Sequence, residues 1–161
     1  MAFRDDLVAN INLMIAPEEV VWSQQNIAEL AKPYTTIMIL GSIRVGHPES
    51  SFDYINDVER IKYWHNTTIR ITRAHDAKLP NRQTAEEFIN DFLDKLYFSE
   101  FQNAWKLSGI SVVPGNVSDI SEITDDIRYD DRAILDINAI HYTEKDQVIT
   151  DFIETVEVTK I

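Results

Sequence analysis

The residues that could do chemistry are few and scattered. Gly41-Ser-Ile-Arg-Val-Gly46 has the glycine spacing of a phosphate-cradling loop. His47-Pro48 follow it, where such a loop needs Lys and then Ser or Thr to reach phosphate and magnesium. These glycines are expected to be turn residues leading out of a strand. His47, His65, His75 and His141 offer no i, i+4 pair and no HExxH, the spacing that sets two imidazoles around zinc. His75-Asp76 has the makings of half a hydrolytic or metal site. The run Asp-Ala-Lys-Leu-Pro-Asn after His75 reads as a strand-to-helix loop, so a solvated loop histidine is expected there. His65 and His141 sit in strand-like runs beside aromatics, where packing explains them. Asp125-Asp126 and Asp130-Asp131 are ordinary in so acidic a chain, and no EF-hand calcium run or GxSxG nucleophile turn occurs. With no cysteine, disulfides, thiolate metal sites and cysteine nucleophiles are excluded. The sequence presents no enzyme: no catalytic, cofactor-binding or metal-ligating set emerges.

Composition sets the frame. The chain has 161 residues, 15 basic against 27 acidic, a net charge of −12 and a sequence pI near 4.6. One domain is expected at this length, burying roughly 70% of its unfolded surface. An acidic balance argues against a surface that grips nucleic acid, which needs clustered Lys and Arg to release counterions. No apolar run approaches the ~20 residues of a membrane span, so no membrane partner is expected. The opening MAFRDDLVANINLMIAPEE mixes two aspartates and two asparagines into its apolar residues and does not read as a signal peptide. Asn66-Thr-Thr68 and Asn116-Val-Ser118 match the glycosylation pattern, which has no meaning without one.

Periodicity gives the elements. Leu7, Val8, Ile11 and Ile15 form a helical stripe within an N-terminal helix over 1–16, stopped by Pro17. Val20-Val21-Trp22 is a short strand, followed by a connector. Tyr34 to Ile43 is β-branched and apolar on both faces, which predicts a central strand in a sheet covered on two sides. The stretch 46–62 mixes Pro48 and four acids with Phe52, Tyr54, Ile55 and Val58, and reads as a protruding hairpin or extended arm. Lys62 to Ala74 is a strand with Tyr63, His65, Thr67, Ile69 and Ile71 on one face. Ala85, Phe88, Ile89, Phe92, Leu93 and Leu96 then make the core stripe of a helix over about 82–98, with Thr84 and Glu87 as a capping box. Ser99 to Leu107 is a second short helix ended by Gly109, and Ile110 to Val113 a brief strand ended by Pro114-Gly115. Asp119 to Asp131, with six carboxylates, reads as a solvated acidic loop. Ala133 to Ile140 alternates as a strand, a turn follows at Glu144-Lys-Asp, and Val148 to Val158 is the last strand. The order predicts a single α+β domain, a mostly antiparallel twisted sheet packed by helices.

Two stretches resemble the neck or tail terminator proteins of long-tailed phages. Gln24-Gln-Asn-Ile-Ala-Glu-Leu-Ala-Lys-Pro33-Tyr34-Thr-Thr-Ile is similar to that family's Gln/Asn-rich lead into a Pro-Tyr strand start. Tyr129-Asp-Asp-Arg132-Ala-Ile-Leu-Asp136-Ile is similar to its Tyr-x-x-Arg-Ala-x-Leu-Asp signature. The first carries one proline where two are common, and the 46–62 excursion is long for the family. The resemblance implies a structural virion protein of the neck or tail, assembled in the host cytoplasm, without cofactor. It implies a homo-oligomeric ring, expected hexameric, that caps the tail tube protein and docks a head-completion or connector protein, with the tail sheath as a further neighbour. DNA would pass the lumen without specific binding. Pro33, Tyr34, Phe52, Tyr54, Tyr129, Arg132 and Asp136 are the candidate motif or interface residues. Arg132 and Asp136 lie on one strand face, placed to pair with each other or across a subunit boundary. Two alternatives stay open: another ring-forming head-completion or tail tube protein, and a monomeric binding domain.

Overall fold

A computed structural model describes residues 3–23, 31–75, 82–125 and 128–148, with 118–130 by backbone alone. Three helices, α1 (Phe3–Ile15), α2 (Ala85–Lys95) and α3 (Ser99–Leu107), lie on one face of a five-stranded sheet. The strands are β1 (Val20–Trp22), β2 (Tyr34–Asp53), β3 (Val58–His75), β4 (Ser111–Asp125) and β5 (Arg128–Val148), in the spatial order β1-β2-β3-β5-β4. Only β1 runs parallel to its neighbour; the other three pairs are antiparallel. This is the α+β architecture that the element order implies.

The register aligns the covered face. Ile37 lies opposite Ile71 and Ile71 opposite Leu135, while Ile69 lies opposite Ile137. Those five side chains, with Leu7, Ile11, Ile89 and Phe92 from the helices, form the buried core. The other face is not covered as the apolar run at Tyr34–Ile43 suggests. Thr36, Met38, Thr72, Ile134 and Asn138 on it are half-buried and Leu40 is exposed.

The strands outrun their sequence limits. Gly41 and Gly46 do not lead out of β2; they sit inside it, beside register shifts between Ile39 and Gly41 and between Val45 and Glu49. A bulge absorbs residues that a regular ladder would reject, and a bulge on an outer strand tolerates Pro48. Pro114-Gly115 likewise interrupts β4 without ending it. The acidic stretch at Asp119–Asp131 is not a loop: its backbone is the end of β4 and the start of β5, with 126–127 outside the described residues. Glu144-Lys-Asp is no turn either, since β5 continues through it opposite Lys62, Ile61 and Arg60. The strand expected at Val148–Val158 falls outside the described residues from 149 onward.

The helix caps follow the sequence. Thr84 accepts from the Glu87 amide at 3.1 Å and Glu87 returns a bond to the Thr84 amide at 2.8 Å, completing the capping box. Gly109, at φ +70°, takes the left-handed turn after α3. Asp131, expected in solvent, is buried instead; its Oδ2 accepts from the Ala85 amide at 2.8 Å and so ties β5 to the start of α2. The helix N-terminus favours that negative charge. Asp131→Ala should therefore strand a buried amide and lower the unfolding free energy by about 1–3 kcal/mol, read from urea denaturation.

Candidate functional site

Past the helices the sheet continues alone. β4 begins at Ser111, opposite Ile140, so beyond that point only β2, β3 and β5 remain. Residues 41–53, 58–68 and 139–148 form a three-stranded arm without helical cover over its outer half, and β2 from Leu40 to Ser51 and β5 from Tyr142 to Val148 are exposed throughout. The excursion read at 46–62 is thus the hairpin end of this arm, and β5 is the strand that the sequence does not assign to it. A turn at residues 54–57 closes the hairpin. Asp53 Oδ1 accepts from the Ile55 amide at 3.0 Å, Asn56 Nδ2 donates to Asp53 Oδ2 at 2.8 Å, and Asp57 adopts φ +53°. These contacts hold the Asp53 carboxyl below its usual range, the Asn56 bond first. Asn and Asp tolerate the left-handed region better than other side chains, so Asn56-Asp57 was the sequence signal for this turn.

The uncovered face of β3 and β5 is a ladder of directly opposed polar pairs. Arg60 grips Asp146 with two bonds of 2.8 and 3.0 Å, and Lys62 lies 3.3 Å from Glu144. Trp64 meets Tyr142 edge-on at 5.5 Å and donates its indole N–H to Glu49 at 3.2 Å. Thr68 donates to Asn138 at 2.9 Å, and Arg70 binds Asp136 at 2.8 and 2.9 Å. The guanidinium bonds hold the Asp136 and Asp146 carboxyls below the usual carboxylate range. On the helix side, Thr67 bridges Ser42 at 2.7 Å and His141 at 3.0 Å, His65 bonds Thr143 at 2.9 Å, and Arg44 lies over the Tyr63 ring at 4.3 Å.

The candidate residues are spread over this frame. Pro33 is exposed just before β2, and Tyr34 is the half-buried first residue of β2, opposite Ala74. Phe52 is half-buried near the arm tip, with its ring 4.6 Å from Tyr54, which is 84% exposed. Tyr129 lies in β5 opposite Ile123, its side chain outside the described residues. Arg132 and Asp136 share the uncovered face, yet Asp136 pairs with Arg70 directly across the strands. Four residues along a strand span about 13 Å, too far for an ion pair. The candidate set leaves out Ile55 at the tip, 91% exposed, although the sequence places it among the apolar residues of the arm, and it leaves out the Trp64–Tyr142 pair. A double-mutant cycle on Arg70 and Asp136 should give a coupling of about 0.5–1 kcal/mol, since both side chains are about a third exposed and solvent screens them.

His75 ends β3 rather than standing in a loop: it accepts from Arg73 Nε at 2.8 Å, and burial followed by the Arg73 charge pushes its pKa down. Among the described residues no three His, Asp or Glu side chains gather as a metal site, and no helix is long and apolar enough to cross a membrane.

A half-covered sheet that runs on into a three-stranded arm, its two outer strands exposed, defines an α+β protein. A family model described as phage neck terminator protein matches residues 2–161, and the chain belongs to that family. It is thereby a structural component of the phage virion, one that associates with other head or tail proteins. No curated protein matches the sequence.

Proposed function

We propose that this chain forms a homo-oligomeric ring, six-membered, at the phage neck, ending the tail tube and joining it to a head-completion protein. The observation that carries the reading is the arm: three strands that run on past the helices, the outer two exposed, in a member of the neck terminator family. A cyclic ring needs two different complementary patches per subunit. The arm supplies one, and Phe52, Tyr54 and Ile55 at its tip are the apolar anchors. In this reading Pro33, Tyr34, Arg132 and Asp136 shape the frame from which the arm extends. Mechanism is geometric: seating on the last tube ring blocks further addition and offers the opposite face to the head, with the sheath outside. An acidic lumen would let DNA pass without holding it. No chemical step is assigned to the protein.

Light scattering on the purified protein, with negative-stain images of the same peak, tests this. A species near six protomers with annular images is expected, either free or on added tail tubes. A monomer that stays monomeric and fails to bind tubes overturns the ring and leaves a binding domain.

A further inference from the structure

The sheet face that the helices leave open is not uniformly polar. Between two sets of ion pairs it carries a belt of apolar side chains that crosses all four long strands. Val45, Trp64 and Tyr142 lie side by side in one row, Ile43 and Ile140 flank Asn66 in the next, and Val113 of β4 stands opposite Asn138 in the third. Ile43, Val45, Val113, Ile140 and Tyr142 are exposed and Trp64 is half-buried. A folded monomer rarely leaves so many large apolar side chains contiguous in water without a use for them.

The charged pairs that border the belt are closed within the sheet. Lys62 is answered by Glu144 and Arg60 by Asp146 toward the tip, and Arg70 by Asp136 toward the core. Within it, Trp64 donates its indole N–H to Glu49 and Thr68 donates to Asn138. What the belt offers a partner is therefore apolar area rather than charge. The arm tip has the same character. Tyr54 and Ile55 are exposed, while the Asp53 carboxyl between Phe52 and Tyr54 is taken up by the Ile55 amide and the Asn56 side chain.

We propose that the belt receives the arm tip of a second copy of this chain, with Tyr54 and Ile55 of one protomer seated on Ile43, Val45 and Tyr142 of the next. The inference rests on the ring reading above and names the second of the two patches that a ring requires. A second copy is indicated by charge. At −12, two copies repel wherever unpaired carboxylates meet, so a contact between them belongs where charge is paired or absent. The belt is such a place, and the two outermost side chains of the tip are uncharged. A basic partner would be drawn instead to carboxylates that the belt does not present. The contact has to be intermolecular. Along β3, Asn66 beside Ile43 and Val58 at the hairpin end are about 26 Å apart, so no tip reaches its own belt. Because tip and belt are different surfaces, each protomer has one of each to offer, and the contact propagates head to tail until it closes.

The test exploits the absence of cysteine from the chain. The full chain carrying Ile43→Cys and Ile55→Cys together, assembled free or on added tail tubes and then mildly oxidised, should give disulfide-linked dimers and higher species on a non-reducing gel. A disulfide needs Cα atoms within about 7 Å, which the separation inside one protomer forbids. Each single variant should lose the ladder. Both positions are exposed, so the substitutions spare the core. Dimers from Ile43→Cys alone would set two belts face to face and overturn the pairing. Six-membered annular particles that give no ladder, either from this pair or from Val45→Cys with Ile55→Cys, would also overturn it and leave the ring standing. A ladder on open chains that never close would keep the pairing and remove the ring. Ile43→Asp, which sets a charge in the belt, should abolish association while the urea denaturation curve stays in place. Association that survives this change overturns the pairing as well.

Discussion

Glu18→Ala should lower the unfolding free energy by about 3 kcal/mol, more than its place on a surface turn suggests. The reason lies in its partner. The Arg73 side chain is 3% exposed and reaches Glu18 with two of its nitrogens, so deleting the carboxylate leaves a buried guanidinium without a counter-charge. Breaking a buried pair costs about 3–5 kcal/mol, and the 38% exposure of the Glu18 side chain places this one at the low end. Arg73→Met should cost less, because the carboxylate left behind can hydrate and the methionine still fills the space beneath Phe88. The pH dependence has a definite sign. The Arg73 hydrogen bond holds the Glu18 carboxyl below its ordinary 4.5. Its contribution is therefore complete above that value and disappears as pH falls through the lower folded-state value. His75, also displaced downward, acts in the same direction from nearer neutrality. Urea midpoints measured across the acid range should fall steeply for the natural chain and less steeply for Glu18→Ala. An unchanged acid limb would show that the pair contributes nothing.

The helices were legible because their signals are local. The α1 stripe, the Thr84–Glu87 box and the Gly109 stop all act within a turn or two, and each sits where the sequence places it. Strand ends were not legible, because what permits a strand to continue lies on another strand. Gly46, Pro48 and Pro114 are breakers in isolation, yet β2 past β1 and β4 along its length are outer strands among the described residues, where a missing amide or a bulge breaks no ladder on the open side. Glu144-Lys-Asp looks like a turn until Lys62 and Arg60 are seen opposite it. Asp136 has the same history: Arg70 is 66 residues away in sequence and directly opposite in space. Asp131 was the hardest to read, since its reason for being acidic is the first amide of a helix that precedes it by 46 residues. What the sequence could say about the candidate site was therefore its location, an aromatic-bearing hairpin, and not its width, which depends on β5 joining it.

The arm tip gives the largest expected effect on assembly with the smallest on folding. Tyr54 and Ile55 are 84% and 91% exposed, an arrangement that costs a free monomer solubility and returns nothing to its core. If they are anchors, each belongs to the small set of interface residues whose truncation costs about 2 kcal/mol or more, so the pair Tyr54→Ser, Ile55→Ser should weaken subunit association by at least about 100-fold. The unfolding free energy should stay within about 0.5 kcal/mol, since both side chains are exposed and lie outside the core. Phe52→Ser is the informative contrast. Phe52 is half-buried, so its loss should move both readouts. Sedimentation of each variant beside its denaturation curve separates the two properties. Assembly unaffected by the double change would exclude the tip from the interface and move the ring contact to the Trp64–Tyr142 face, where Tyr142→Ser should then carry the loss.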